Sequence, residues 1–297
     1  MALFESVPNI SEGRRPEVID ACAGAVQRAG ARVLHRTSDP VHNRSVLTIV
    51  GDDRQMKDAA VALAGTASAL IDLRSHRGVH PRIGALDVLP FVPLKQAAMA
   101  DAVSLARECG KLIWERYGIP CFLYGEAAST PLRRNLAAVR SGQFEGLERR
   151  FERPEWRPDF GDPRAHDTAG AIAIGARGPL IAWNVELATG DRSIANRIAR
   201  TIRARDGGLR TLKALGLRLS DSAVQVSLNV TDHRATPLYR IVELIRAFAT
   251  EDGVSIMRSE LVGCLPAGAI HEAAAYYLGL EPERMQEHHD SRRDASS

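Results

Sequence analysis

The sequence is poor in the residues that mark a membrane, disulfide-bonded or base-stacking protein. It has four cysteines, Cys22, Cys109, Cys121 and Cys264, spread far apart with no Cys-x-x-Cys pair. That spacing argues against a zinc ribbon or disulfide scaffold and points to a reducing cytoplasm. Aromatic residues are 5% of the total, so the core must be aliphatic and platforms for stacking nucleic-acid bases are scarce. No stretch approaches the roughly 18 consecutive apolar residues of a spanning helix, and no basic segment precedes the apolar residues at the N-terminus. Neither a membrane partner nor a secretory signal is therefore expected. The dinucleotide fingerprint Gly-x-Gly-x-x-Gly, a phosphate loop ending in Gly-Lys-Ser/Thr and a Gly-x-Ser-x-Gly elbow are all missing. Net charge is only +3, while 45% apolar and 25% charged residues over 297 positions describe an ordinary globular chain. Its length is about twice the ~150 residues of a typical domain.

What is present alternates between two periods. Residues 2–7 alternate like a strand ended by Pro8-Asn9, and Val18, Ile19, Cys22 and Val26 mark a helix stopped at Gly30. Residues 32–35 and 44–50 read as strands, 53–72 as a helix, 86–91 as a strand and 96–117 as a long helix. The second half repeats the order, with strands at 180–187, 215–219, 224–230 and 254–261. Helices there run through Ile194, Ile198 and Ile202, through Leu238, Ile241, Leu244, Ile245 and Phe248, and over 267–278.

Two copies of β-α-β-β-α-β predict an α+β fold of two tandem ferredoxin-like (βαββαβ) subdomains, 1–178 and 179–281. Each would be an antiparallel sheet with helices on one face, and the bare faces would meet across a ligand cleft or tunnel. Residues 149–178 carry Pro154, Pro158, Pro163 and several glycines without a period, the mark of a functional loop. The tail at 282–297 is polar and expected to be disordered, its His288-His289 pair solvated rather than metal-binding.

Chemistry-bearing residues are densest at 76–93, HRGVHPRIGALDVLPFVP. His76 and His80 have the spacing of metal ligands on a helix, but Gly78 and Pro81 oppose a helix and no third ligand follows, so no metal is expected. His80 is placed instead in a loop before a strand, with Arg82 as an anion binder and Asp87 as an orienting carboxylate. An imidazole there can both take and give a proton near neutrality; the plain alternative is a histidine filling a turn. A second group, Ser38-Asp39-Pro40-Val41-His42-Asn43-Arg44, precedes the third strand and also reads as a simple turn. A third, Tyr124-Gly125-Glu126, ends a strand where Glu126 would face the cleft.

Between Arg192 and Arg218 eight cations stand against one acid, Asp206, which suggests an anionic partner or a solvated helix face. RNA-binding split-βαβ domains stack bases on sheet aromatics, and neither VQVSLNV nor LIAWNVEL supplies that pattern. A polycarboxylate ligand fits the run better.

Eight ordered blocks then bear on identity: VPNISEG at 7–13, HNRSV at 42–46, HPRIGALDVLPFVP at 80–93, LYGEAA at 123–128, PDFG at 158–161, GARGPLIAWNV at 175–185, DGGLRTLKALGL at 206–217 and SELVG at 259–263. On these the chain resembles the glutamate formiminotransferases, the formiminotransferase domain of formiminotransferase-cyclodeaminase. The resemblance implies transfer of a formimino group from N-formimino-L-glutamate to N5 of tetrahydrofolate in histidine degradation, with tetrahydrofolate as co-substrate and no metal. It also implies a cytoplasmic homodimer with a tunnel between two subdomains, small-molecule substrates and no nucleic-acid partner.

The family's catalytic histidine falls on His80. Its folate-binding loop falls on Gly161, Asp162, Pro163, Arg164, Ala165, His166, Asp167, Thr168, Ala169 and Gly170. Asp39, Asn43, Arg44, Arg82 and Glu126 are candidates for binding substrate or orienting His80, and the basic run is a candidate track for a polyglutamate tail. Asp162-Pro163-Arg164, Ile172 and Ile174 depart from the usual pattern. The chain ends where a cyclodeaminase domain begins in bifunctional relatives, so deamination is expected from another protein. A folate-dependent transferase with a different one-carbon donor is one alternative. A nucleic-acid-binding protein using the basic run is another.

Overall fold

Proline has no amide hydrogen to give to a ladder. Pro8 accordingly divides the N-terminal strand into β1 (Phe4–Ser6) and β2 (Asn9–Ile10). In the computed structural model, which describes residues 1–280, the strand therefore resumes after Pro8 instead of ending there. Both pieces lie between β4 (Arg44–Gly51) and β5 (Leu86–Pro93), and β3 (Arg32–Asp39) flanks β4. The tail at 282–297, with His288 and His289, lies outside the described residues.

Helix starts are set by short-range chemistry. Pro16 opens α1 (Pro16–Arg28), where a missing amide hydrogen costs nothing. The Glu12 carboxylate accepts from the amides of Arg14 and Arg15 at 2.8 and 3.0 Å. Asp52 and Gln55 form a reciprocal capping box at the start of α2 (Asp53–Leu70). α3 (Met99–Tyr117) then leads to β6 (Cys121–Gly125).

The first sheet is mixed, which corrects the expected antiparallel one. Its order is β3-β4-(β1, β2)-β5-β7-β6, antiparallel as far as β5, after which β7 (Ile172–Ala176) and β6 run parallel to it. β7 comes from the stretch that reads as irregular. Every residue of it is buried, so a central strand of isoleucine, alanine and glycine shows no in-out alternation to detect.

Helices α1 to α3 cover one face over Phe4, Ile10, Leu47, Ile49, Leu89 and Phe91. The other face is partly covered too, which the expectation of a bare face missed. Short helices α4 (Leu136–Val139) and α5 (Leu147–Phe151) close a second core there with Val88, Phe122, Tyr124 and Ala173. Away from this cover, on β3, β4 and β2, Thr37, Asp39, Arg44, Val46 and Asn9 remain half-buried.

The second compact unit begins at Pro179. Its order is β8 (Ile181–Leu187), α6 (Arg192–Ile202), β9 (Leu212–Arg218), β10 (Val224–Val230), α7 (Leu238–Glu251), β11 (Ile256–Val262) and α8 (Ala267–Leu278). The four strands pair antiparallel in the order β11-β8-β10-β9. Val185, Leu187, Ile198, Val226, Ile241 and Ile245 belong to its aliphatic core. Among the described residues no helix is long and apolar enough to cross a membrane.

Candidate functional site

The turn between β3 and β4 and the loop before β5 are zipped together. The Asn43 side-chain amide donates to the Arg77 carbonyl at 3.1 Å, the Val79 amide donates to Val41, and the His76 Nε2 lies 2.9 Å from the Asn43 carbonyl. A Cβ on Gly78 would come within 2.3 Å of the His42 carbonyl oxygen, so only glycine permits this approach. Asn43 itself adopts φ of 49° and accepts the Gly13 amide at 2.9 Å, a backbone conformation asparagine tolerates well. The turn thereby delivers Arg44 to His80.

Arg44 Nη1 lies 2.8 Å from His80 Nε2 and 3.1 Å from the side-chain oxygen of Asn9. A guanidinium has only donors, so His80 Nε2 accepts and its imidazole proton is assigned to Nδ1. Burial first, then the charges of Arg44, Arg140 and His42, push the His80 pKa from 6.5 down to about 2. The ring is held neutral, and the same surroundings weaken it as a proton acceptor. Protonated among these cations, it would be eager to pass the proton on.

Arg140, just after α4, is a site residue that the sequence reading missed. Its guanidinium pairs with Asp87, and its charge acts on both His80 and Arg44. The pattern LAAVR offered only a short helical turn, with nothing to say which residue 53 positions earlier its arginine would meet.

The other candidates separate. Asp39 accepts the amides of Val41 and His42 at 2.8 and 2.9 Å and pairs with His42 Nδ1 at 2.8 Å, fixing the turn instead of bonding to His80. It is also the strand partner of Arg44. Glu126 is exposed beyond β6, its amide on the Ala176 carbonyl, and no hydrogen bond or ion pair joins it to His80 among the described residues.

Arg82, expected as an anion binder, is buried and already has a carboxylate. Its fork grips Glu145 at 2.6 and 2.8 Å, and its Nε donates to His76 Nδ1 at 3.2 Å. That hydrogen bond from Arg82 holds the Glu145 carboxyl down at about 2. His76 has both ring nitrogens engaged, on the Asn43 carbonyl and on Arg82. Asp87 accepts the Ile83 amide at 2.7 Å and serves Arg140 in place of His80.

The loop Gly161 to Gly170 is laced to the segment that follows His80. The Thr168 and Ala169 carbonyls accept the amides of Leu73 and Ala85 at 2.8 and 2.9 Å, and the Ala171 amide donates to Ile83 at 2.9 Å. His166 Nδ1 accepts the amides of Thr168 and Ala169, and the Ala165 amide donates to Glu148. Gly170 has φ of 70°, and a Cβ there would sit 2.1 Å from the Ile83 carbonyl oxygen. Asp162, Pro163, Arg164 and Asp167 are exposed.

The basic run does not form one track. Arg197 pairs with Asp252, Arg203 with Asp206 and Arg218 with Asp221, while Arg200, Arg210 and Lys213 are exposed. No three His, Cys, Asp or Glu side chains gather as a metal group among the described residues.

Fold and site thus define an α+β protein with a neutral histidine set among guanidiniums. The chain belongs to the formiminotransferase family: the N-terminal subdomain of the formiminotransferase domain matches residues 3–177, and the formiminotransferase domain matches 182–293. It is similar to the glutamate formimidoyltransferase of Streptococcus pyogenes serotype M1, 44% identical with 94% of each chain covered. The glutamate formimidoyltransferase of Thermoplasma acidophilum is 46% identical, with 94% of this chain and 93% of that one covered. The formimidoyltransferase-cyclodeaminase of Rattus norvegicus is 39% identical over 94% of this chain but 53% of its own length.

Proposed function

We propose that the protein transfers the formimino group of N-formimino-L-glutamate to N5 of tetrahydrofolate, giving 5-formimino-tetrahydrofolate and L-glutamate, as a step of histidine degradation. The observation that carries the catalytic part is His80, neutral and held by Arg44 at 2.8 Å. N5 attacks the formimino carbon, and His80 Nε2 takes the proton that N5 loses, Arg44 moving off that nitrogen. The tetrahedral adduct expels glutamate only once the glutamate nitrogen is protonated. The imidazolium, destabilised by neighbouring cations, gives its proton there; the C–N bond breaks and the neutral ring returns. Holding both substrates in reacting position supplies much of the remaining acceleration.

The loop from Gly161 to Gly170 takes the folate, beside the segment that carries His80. Asp39, the cross-strand partner of Arg44, supports the site by fixing the turn through His42 and two amides, and Asn43 holds the same turn. Arg82 acts from behind, through His76 and Asn43. Glu126 stands at the far strand end as a further carboxylate for the donor. Each unit contributes a split βαβ core, and the protein works as a cytoplasmic homodimer.

A spectrophotometric assay with formiminoglutamate and tetrahydrofolate tests the reading. Formation of 5-formimino-tetrahydrofolate is expected. Turnover of another one-carbon donor with none of formiminoglutamate would reject this donor and leave a different folate-dependent transferase.

A further inference from the structure

We infer that Arg140 and Arg44 together form a carboxylate subsite beside His80 that takes the α-carboxylate of the amino-dicarboxylate donor. This rests on the proposed reaction for the donor's identity, and on the side-chain arrangement for the site itself.

The donors of the two arginines are not all used, although Asp87 and Asp39 lie near enough to act on Arg44. Arg44 is half-buried, and its hydrogen bonds go to two neutral acceptors, Asn9 and His80. No carboxylate comes within ion-pairing distance of it among the described residues. Arg140 has one guanidinium nitrogen on Asp87, while its Nε is buried without any partner. The carboxylates on hand are committed, Asp87 to the Ile83 amide and Arg140, and Asp39 to His42 and two amides. Burying a guanidinium without a counter-charge is costly. Arg44, which has no ion pair among the described residues, and Arg140, whose Nε is unpartnered beside its Asp87 pair, each lower the proton affinity of the same imidazole and together suit a further anion. Planar forks favour a carboxylate, which each can grip through two parallel hydrogen bonds.

Chemistry selects which carboxylate. In the donor, the α-carboxylate hangs on the carbon bonded to the nitrogen that His80 must protonate, so it necessarily lies within a residue's reach of the ring. The folate's own glutamate lies beyond an aminobenzoyl ring from N5. A carboxylate bound here would also draw Arg44 off His80 Nε2 and cancel part of the cationic field, restoring basicity as the donor arrives.

The test is Arg140→Gln, with Arg140→Lys as the variant that keeps the charge and loses the fork. In the glutamine variant, calorimetric binding of L-glutamate is expected to weaken about 10- to 100-fold. The KM for formiminoglutamate should rise in parallel, with the KM for mono- and triglutamyl tetrahydrofolate within about threefold of wild type. The lysine variant should fall between, with a melting temperature near that of wild type. In the wild type, L-glutamate should raise the His80 pKa followed by NMR, and L-isoglutamine, whose α-carboxyl is an amide, should not.

Unchanged glutamate affinity in the folded lysine variant and in the glutamine variant would overturn the subsite. So would a loss confined to triglutamyl folate, which would assign these arginines to the folate tail. If the wild type transfers nothing from formiminoglutamate yet binds glutamate in an Arg140-dependent way, the proposed reaction fails and the subsite stands.

Discussion

At His80 a common residue is given uncommon chemistry by what surrounds it. An imidazole in water is half protonated near pH 6.5; here burial and the Arg44 and Arg140 guanidiniums keep it neutral. If it carries the proton between the two nitrogens, His80→Ala should lower kcat by about 10²–10⁴ with tetrahydrofolate affinity within a few-fold, measured by steady-state kinetics and direct titration. Near-normal turnover would remove it from the mechanism.

The same environment has a cost in stability. As pH falls through 6.5 the unfolded chain binds a proton at this histidine while the folded one does not, so stability declines from pH 6.5 toward the folded value near 2. His76, also held below its ordinary value by burial, acts in the same direction. His80→Gln should therefore lose less melting temperature than wild type between pH 7 and 5; an equal loss would contradict the assignment. The block around His80 singled it out as a candidate. Its charge state was not readable there, because Arg44 and Arg140 reach it from other segments.

The elements matter through what they lace together. The loop ending at Gly170 is tied by backbone hydrogen bonds to Leu73, Ile83 and Ala85, so loop and His80 segment behave as one frame. Gly170→Ala places a methyl where the Ile83 carbonyl already sits, in a backbone region costly for any side chain. We expect a loss of about 1–3 kcal/mol by denaturant unfolding, together with a raised KM for tetrahydrofolate. A stability loss with unchanged folate kinetics would detach this loop from the folate site.

Periodicity revealed most helices and the alternating strands. It missed β7, whose small residues are buried on both sides, and the α4–α5 cover, whose short turns lack a repeat. Pro8 suggested an end where tertiary pairing made only a break.

On the scale of the whole molecule, each unit has its own aliphatic core, consistent with an internally repeated strand and helix order. Light scattering should give twice the 32.3 kDa chain mass if the protein is the proposed homodimer; a concentration-independent single-chain mass would reject it. The basic run looked like a track in one dimension. In three, several of its arginines are neutralised by Asp252, Asp206 and Asp221, which reduces its pull on an anion.

Local order was decided by the sequence itself. A helix period, a capping box at Asp52, a proline that interrupts a ladder and a contiguous block around His80 all act over a few residues, so they survive being read along a line. Only the tertiary structure decided which charges share a space. Arg82 faces Glu145 while Arg140 faces Asp87 and adds its charge to the field at the imidazole, and no pattern of spacing distinguishes these arginines. A proton's affinity for His80 depends on charges within a few ångströms, and folding draws those from segments far apart in the chain.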